Sequence, residues 1–203
     1  MSGPGEASPR LSLIGAILAG GESSRMGVDK ALVAIQGRPF VRLVAAALEQ
    51  VAERAIVTGR SEPLEGVPAI PDPPTAQRGS LAGLAAALEH AGKGHVLLIG
   101  VDQPFVRVQT LRHIADLRST IPVVPIEGGI RQVTCGVYPA ALSIQARDEL
   151  ERGGSIQSLL DRIPHRAVQP SVWRSWGEDG RSWFSVDTPE LLTVGLDRYG
   201  SPI

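Results

Sequence analysis

Cysteine is almost missing from this chain: Cys135 is the only one in 203 residues. An internal disulfide is therefore excluded, and no cluster of cysteine and histidine has the spacing of a structural metal site. Cys135 lies in Thr134-Cys135-Gly136-Val137-Tyr138, an apolar stretch that favours a buried thiol over a nucleophile. Aromatic residues make up only 4% of the chain, so the core must be aliphatic, and a hydrophobic share of 43% is enough to build one. Charge of one sign is also lacking. Twenty basic residues against 21 acidic ones give a net charge of −1, which leaves no basic face for nucleic acid and makes any anion site local. No apolar run reaches the length of a membrane span, and Met1 to Arg10 has no secretory pattern. The expectation is a soluble, cytoplasmic protein. Two familiar phosphate loops are absent too: neither GxxxxGK[ST] nor GxGxxG occurs.

What is present is an alternation of strand and helix patterns, which argues for an α/β fold with a mostly parallel sheet covered on both faces. Leu13 to Leu18, Arg54 to Thr58 and His95 to Gly100 read as buried strands. A short strand, Val67 to Ile70, ends at Pro71-Asp72-Pro73-Pro74. Helical spacing recurs from Phe40 to Val51, from Ser80 (placed as its cap) through Leu88, and from Val108 to Arg118. The style changes after Ile121. Two strands, Ile121 to Ile126 and Ile130 to Tyr138, flank the turn Glu127-Gly128-Gly129, and helices follow at Ala140 to Arg152 and Ser155 to Ile163. Trp173 to Arg181 reads as an irregular loop, Ser182 to Val186 as a last strand, and Thr188-Pro189-Glu190 as the start of a final helix. The length suits one domain: a flexible Met1 to Arg10, then residues 11–203. Within it the change after Ile121 suggests a substrate-facing lobe, about 121–203, on the same domain as residues of about 11–120.

The most informative segment follows the first strand: Leu18-Ala19-Gly20-Gly21-Glu22-Ser23-Ser24-Arg25-Met26-Gly27-Val28-Asp29-Lys30. A strand running into glycines sets backbone N–H groups at the carboxyl edge of the sheet, where open α/β sheets bind ligands. Arg25 and Lys30 add positive charge with no acceptor atom. The chemistry implied is recognition of a nucleoside triphosphate. Asp102, at the end of a buried strand in Val101-Asp102-Gln103-Pro104, can either coordinate Mg²⁺ or cap the following helix. Asp72, between prolines, can close an Asx turn. Lys30 can bind phosphate or extend into solvent.

The pattern LAGG-x-S-x-RMG-x-DK-x-L, continued by Gly37-Arg38-Pro39, resembles that of the molybdenum cofactor guanylyltransferases. Arg78-Gly79-Ser80-Leu81-Ala82-Gly83 resembles their G-P-L-A-G stretch, with Ser80 in place of Pro, and Ser185-Val186-Asp187-Thr188-Pro189-Glu190 their N-V-N/D-T-P-E signature. The matches run from about Leu13 to Leu196. The resemblance implies a three-layer, Rossmann-like nucleotidyltransferase fold. It also implies transfer of GMP from GTP to molybdopterin, with molybdoenzymes or their chaperones as further partners. Residue by residue, it assigns the nucleotide to Leu18, Ala19, Gly20, Gly21, Arg25, Lys30, Thr58, Asp72 and Asp102. Arg25, Lys30 and Asp102 would be catalytic, with Asp102 and Asp187 as ligands of Mg²⁺; Asp187 has the alternative of a helix N-terminal acid. Thr58 stands where relatives often carry Asn. Asp29 would orient Lys30, and Arg131 and Gln132 would lie on the acceptor side. Trp173, Trp176 and Trp183 could stack a pterin, although packing is favoured. Cytidylyl transfer is the rival reading, since the sister enzymes begin LAAG; a methyl at Gly20 would then take space that guanine needs. Sugar-phosphate nucleotidylyl transfer and a non-catalytic regulator or cofactor-delivery relative also stay open.

Overall fold

The computed structural model describes residues 12–20, 29–74 and 79–202. The proposed flexible N-terminus, Gly21, Arg25 and Arg78 lie outside the described residues. The first half contains β1 (Leu13–Leu18), a small antiparallel pair β2 (Ala34–Ile35) and β3 (Arg38–Pro39), and α1 (Phe40–Leu48). It continues through β4 (Arg54–Thr58), β5 (Ala69–Ile70), α2 (Ser80–Ala91), β6 (His95–Gly100) and α3 (Val108–Asp116). The second half contains β7 (Val123–Glu127), β8 (Ile130–Arg131), β9 (Cys135–Pro139), α4 (Ser143–Glu151) and α5 (Ile156–Arg162). It ends with β10 (Arg166–Val168), α6 (Pro170–Ser175) and α7 (Pro189–Tyr199).

The main sheet has the order β10-β7-β9-β6-β1-β4-β5, and β8 extends it as a hairpin on β7. Pairing is parallel for β1 with β4 and β6, for β4 with β5, and for β7 with β10; β9 runs against both its neighbours. Alternation along the buried strands sorts side chains between two cores. Leu13, Ile17, Leu97 and Ile99 face the layer of α1 and α3, whereas Ile14, Ala16, Val96 and Leu98 face α2, α4 and α5. Burying one such side chain contributes about 1.5–3 kcal/mol, so these two layers carry the stability of the sheet. Helix and strand approach closely where a side chain is missing: a Cβ on Gly15 would lie 2.9 Å from Leu48 Cβ.

Several boundaries differ from expectation, each for a local reason. The helix at Ser80 is capped by Gly79 at φ 125°, so Ser80 is the first helical residue and not the cap. The stretch from Ile130 to Tyr138 is two strands: Gly128 and Gly129, at φ 55° and 81°, close a two-residue hairpin, and the chain then breaks pairing before β9 joins β6. The expected loop from Trp173 begins inside α6. Ser182 to Val186 is not a strand. It forms a 3₁₀ turn at Arg181–Trp183 and then runs extended, with the Val186 amide donating to the Asp102 carbonyl at 2.7 Å. That bond lays the segment across the carboxyl end of β6, so it joins no edge of the sheet. The final helix starts as read, with the Thr188 hydroxyl accepting from the Leu191 amide and Pro189 in the first turn.

Candidate active site

Chain order and strand order diverge at β1. From β1 the chain passes to β4 on one side and later returns to β6 on the other, which opens a crevice at the carboxyl ends of the parallel strands. A cleft lies there, lined by Gly20, Lys30, Thr58, Asp72, Ser80 and Asp102, among others. The seven described residues that the motifs assign to the nucleotide, Leu18 and Ala19 included, thus meet in one place.

Lys30 opens a 3₁₀ turn, Lys30–Leu32, whose cap is the Asp29 carboxylate accepting from the Ala31 amide at 3.1 Å. The Lys30 ammonium lies 2.5 Å from Asp187 Oδ1, although 157 residues separate them. Asp187 comes from the extended segment that crosses the end of β6, and this brings it to Asp102. Burial pushes the Asp102 carboxyl above its ordinary range, and the nearby Asp187 carboxylate pushes it the same way; Lys30 and a hydrogen bond to Ser185 pull against them. Asp102 is held by its neighbour too. The Gln103 side chain is buried, accepting from the Gly100 amide at 3.0 Å and donating to Thr134 Oγ1 at 3.0 Å, so the turn after β6 is pinned to the approach of β9.

The opposite wall is built by close backbone approach. Gly59, at φ 82°, turns the chain at the end of β4, and a Cβ on Gly20 would lie 2.9 Å from Gly59 Cα. An added methyl at Gly20 therefore meets the Gly59 backbone. Thr58 is buried, its hydroxyl donating to the Ile17 carbonyl at 3.4 Å, and α2 presses on it where Gly83 leaves no room for a Cβ. That hydroxyl is engaged by the scaffold. Asp72 lies beside the Gly20–Gly59 contact, with Oδ2 3.5 Å from either added Cβ. Arg60, which the sequence reading did not single out, donates from Nε to the Ala19 carbonyl at 3.1 Å, and its Nη2 is 2.7 Å from the Asp29 carboxylate. The one signal for it is a basic residue just past a buried parallel strand.

Other candidates are placed elsewhere. Trp173 and Trp183 pack edge to face at 5.1 Å, their indole N–H groups donating to Ile126 O and to Glu127 Oε2, while Trp176 stacks on His113 at 4.9 Å. The tryptophans are packing residues. Arg131 is tied to Gln157 and Asp161 on α5, and the Gln132 amide side chain donates to the Ile130 carbonyl. Cys135 is fully buried, and burial raises its thiol far from the thiolate range.

A family model described as the MobA-like NTP transferase domain matches residues 15–168, from within β1 to the end of β10. A probable molybdenum cofactor guanylyltransferase of Trichormus variabilis is 32% identical over 193 residues, covering 90% of each chain. The chain belongs to the molybdenum cofactor guanylyltransferase family. As a MobA-like nucleotidyltransferase it also has the expected solved neighbours. Molybdopterin-guanine dinucleotide biosynthesis protein A from Archaeoglobus fulgidus superimposes with a TM-score of 0.77 at 21% identity, over 91% of this chain and 97% of that one. Rv0371c of Mycobacterium tuberculosis H37Rv, solved as a complex with manganese, superimposes with a TM-score of 0.65 at 20% identity, over 93% and 99% of the two chains. These neighbours share the three-layer architecture, with one mixed, mostly parallel sheet between helices. No helix among the described residues is long and apolar enough to cross a membrane.

Proposed function

We propose that this nucleotidyltransferase moves GMP from GTP to molybdopterin, with or without bound molybdenum, and releases pyrophosphate. One observation carries the reading: Lys30, Asp102 and Asp187, far apart in sequence, meet beside the crevice where β1 parts β4 from β6. The guanylyltransferase name of the family members supports guanine as the base. In the reaction an oxygen of the molybdopterin phosphate attacks the α-phosphorus of GTP. A new P–O bond forms, the bond from the α-phosphorus to the α–β bridging oxygen breaks, and pyrophosphate leaves in line. No covalent intermediate with the protein is required, so positioning and charge stabilisation supply the rate.

Each side chain then has a definite task. Lys30, on the cleft wall, neutralises triphosphate oxygens, and the backbone around Gly20 and at the start of α2 approaches the nucleotide closely. Asp72 accepts hydrogen bonds from guanine N–H groups or ribose hydroxyls. Arg25 is assigned to the β- and γ-phosphates by the motif. Magnesium fits the donors present: the Asp187 carboxylate lies close enough to Asp102 to push its carboxyl upward, and two carboxylates with substrate phosphates are a set this ion accepts. Those two residues would hold it, and when bound it offsets the charge building on the transferred and leaving phosphates. The deciding assay is pyrophosphate release with GTP or CTP in the presence of Mg²⁺ and molybdopterin. A kcat/KM for GTP at least about tenfold above that for CTP is expected. A preference for CTP overturns the guanine assignment, and no pyrophosphate with either overturns the transferase reaction.

A further inference from the structure

We infer that Arg60 is a positioning residue for the nucleotide: it fixes Lys30 relative to the carboxyl end of β1 by clamping Ala19 to Asp29. Gly59, with its left-handed backbone, reverses the chain past β4 so that the Arg60 side chain reaches back across the end of β1. There the guanidinium spans two chain positions ten residues apart. Nε donates to the Ala19 carbonyl at 3.1 Å, and Nη2 reaches the Asp29 carboxylate at 2.7 Å. Asp29 in turn accepts from the Ala31 amide and so fixes the 3₁₀ turn that begins at Lys30. The path Ala19–Arg60–Asp29–Lys30 is continuous in hydrogen bonds and covalent neighbours, and three of its four members line the cleft.

Two features show that Arg60 acts through its neighbours. Its two engaged nitrogens are committed to protein acceptors, and the Asp29 carboxylate balances its charge, so the pair adds no net charge to the cleft. Both partners are only about three-tenths exposed, 27% and 29%, which shelters the pair from the screening that makes surface ion pairs negligible. A planar fork suits a carbonyl and a carboxylate at a fixed separation, whereas a lysine ammonium on a flexible stem holds one acceptor at a time. The inference rests on the nucleotide reading of the cleft proposed above.

The test is a double-mutant cycle with Arg60→Met and Asp29→Asn, read as the affinity for GTP with Mg²⁺ by calorimetry, with Arg60→Lys as the conservative variant. Each single change is expected to weaken GTP about tenfold and the double change no more than either alone. Arg60→Lys should recover part of the loss. In turnover, KM for GTP rises while KM for molybdopterin stays at the wild-type value, a split that general loss of structure would not give. Arg60→Met that binds GTP as wild type does overturns the inference alone, as do additive single effects or equal rises in both KM values. Wild-type protein that binds none of GTP, CTP, ATP and UTP overturns the nucleotide reading and this inference with it.

Discussion

A half-buried carboxylate beside another carboxylate is held there against its own preference. Asp102 is penalised by burial first and by Asp187 second, and Lys30 only partly compensates. Its raised pKa means that the folded protein binds more protons at this residue than the unfolded chain does. Stability is therefore lost as pH rises from the ordinary aspartate range through the folded value. Asp102→Asn removes the penalty while keeping the shape. The variant should unfold at a higher temperature than wild type in metal-free buffer at pH 7, with the difference closing as pH falls towards 4. It should also lose GMP transfer, because the oxygen that would ligate Mg²⁺ and carry charge is gone. Thermal unfolding with and without chelator, and dinucleotide formation, measure the two effects. A variant that is dead and destabilised would make Asp102 a structural residue; one that is stabilised and fully active would remove it from the reaction.

At the scale of elements, much of the site was legible because parallel strands announce themselves. The apolar runs of β1, β4 and β6 place Leu18, Thr58 and Asp102 at one sheet edge, and the helix start at Thr188 carries readable cap chemistry, whereas the cap read at Ser80 falls one residue earlier, on Gly79. What sequence could not give was pairing between distant segments. β10 is three residues, Arg166–Val168, too short for a period, and Lys30 meets Asp187 only because an extended segment crosses the end of β6. The Gly20 reading shows the same limit. The glycine was legible, but its reason was not, since Gly59 comes from another strand. Gly20→Ala brings a methyl to 2.9 Å from the Gly59 Cα, which is backbone and cannot swing away. Overpacking of this kind costs about 1–3 kcal/mol. The expected result is a lower unfolding midpoint and a similar fall in kcat/KM for GTP and CTP. A selective loss of GTP would instead put the added methyl against the purine.

The whole molecule links the core under α1 and α3 to the site through one acid. Glu178 is 3% exposed, and its carboxylate accepts from Thr110 Oγ1 and Ser182 Oγ, each at 2.5 Å. It accepts also from the amides of Asp179, Gly180 and Ser182. Five donors around one buried carboxylate join α3 to the segment after α6. The Ser182 hydroxyl continues the network by accepting from the Arg107 amide, and Trp183 anchors the same turn to Glu127 on β7. From there the chain runs directly to Val186 on Asp102 and to Asp187 on Lys30, so the order of the crossing segment depends on this hub. Glu178→Ala strands those donors away from solvent. Unsatisfied buried groups cost about 1–3 kcal/mol each, and relaxation around the cavity leaves a net loss of about 3 kcal/mol. For a chain of this length that lowers the unfolding midpoint by about 6–12 °C. Glu178→Gln keeps an acceptor oxygen but turns an amide donor towards the others, so it should fall between the two. Unfolding curves for the three proteins decide it: a Glu178→Ala midpoint within about 2 °C of wild type would mean that water replaces the carboxylate and that the segment bearing Asp187 is held by its tryptophans alone.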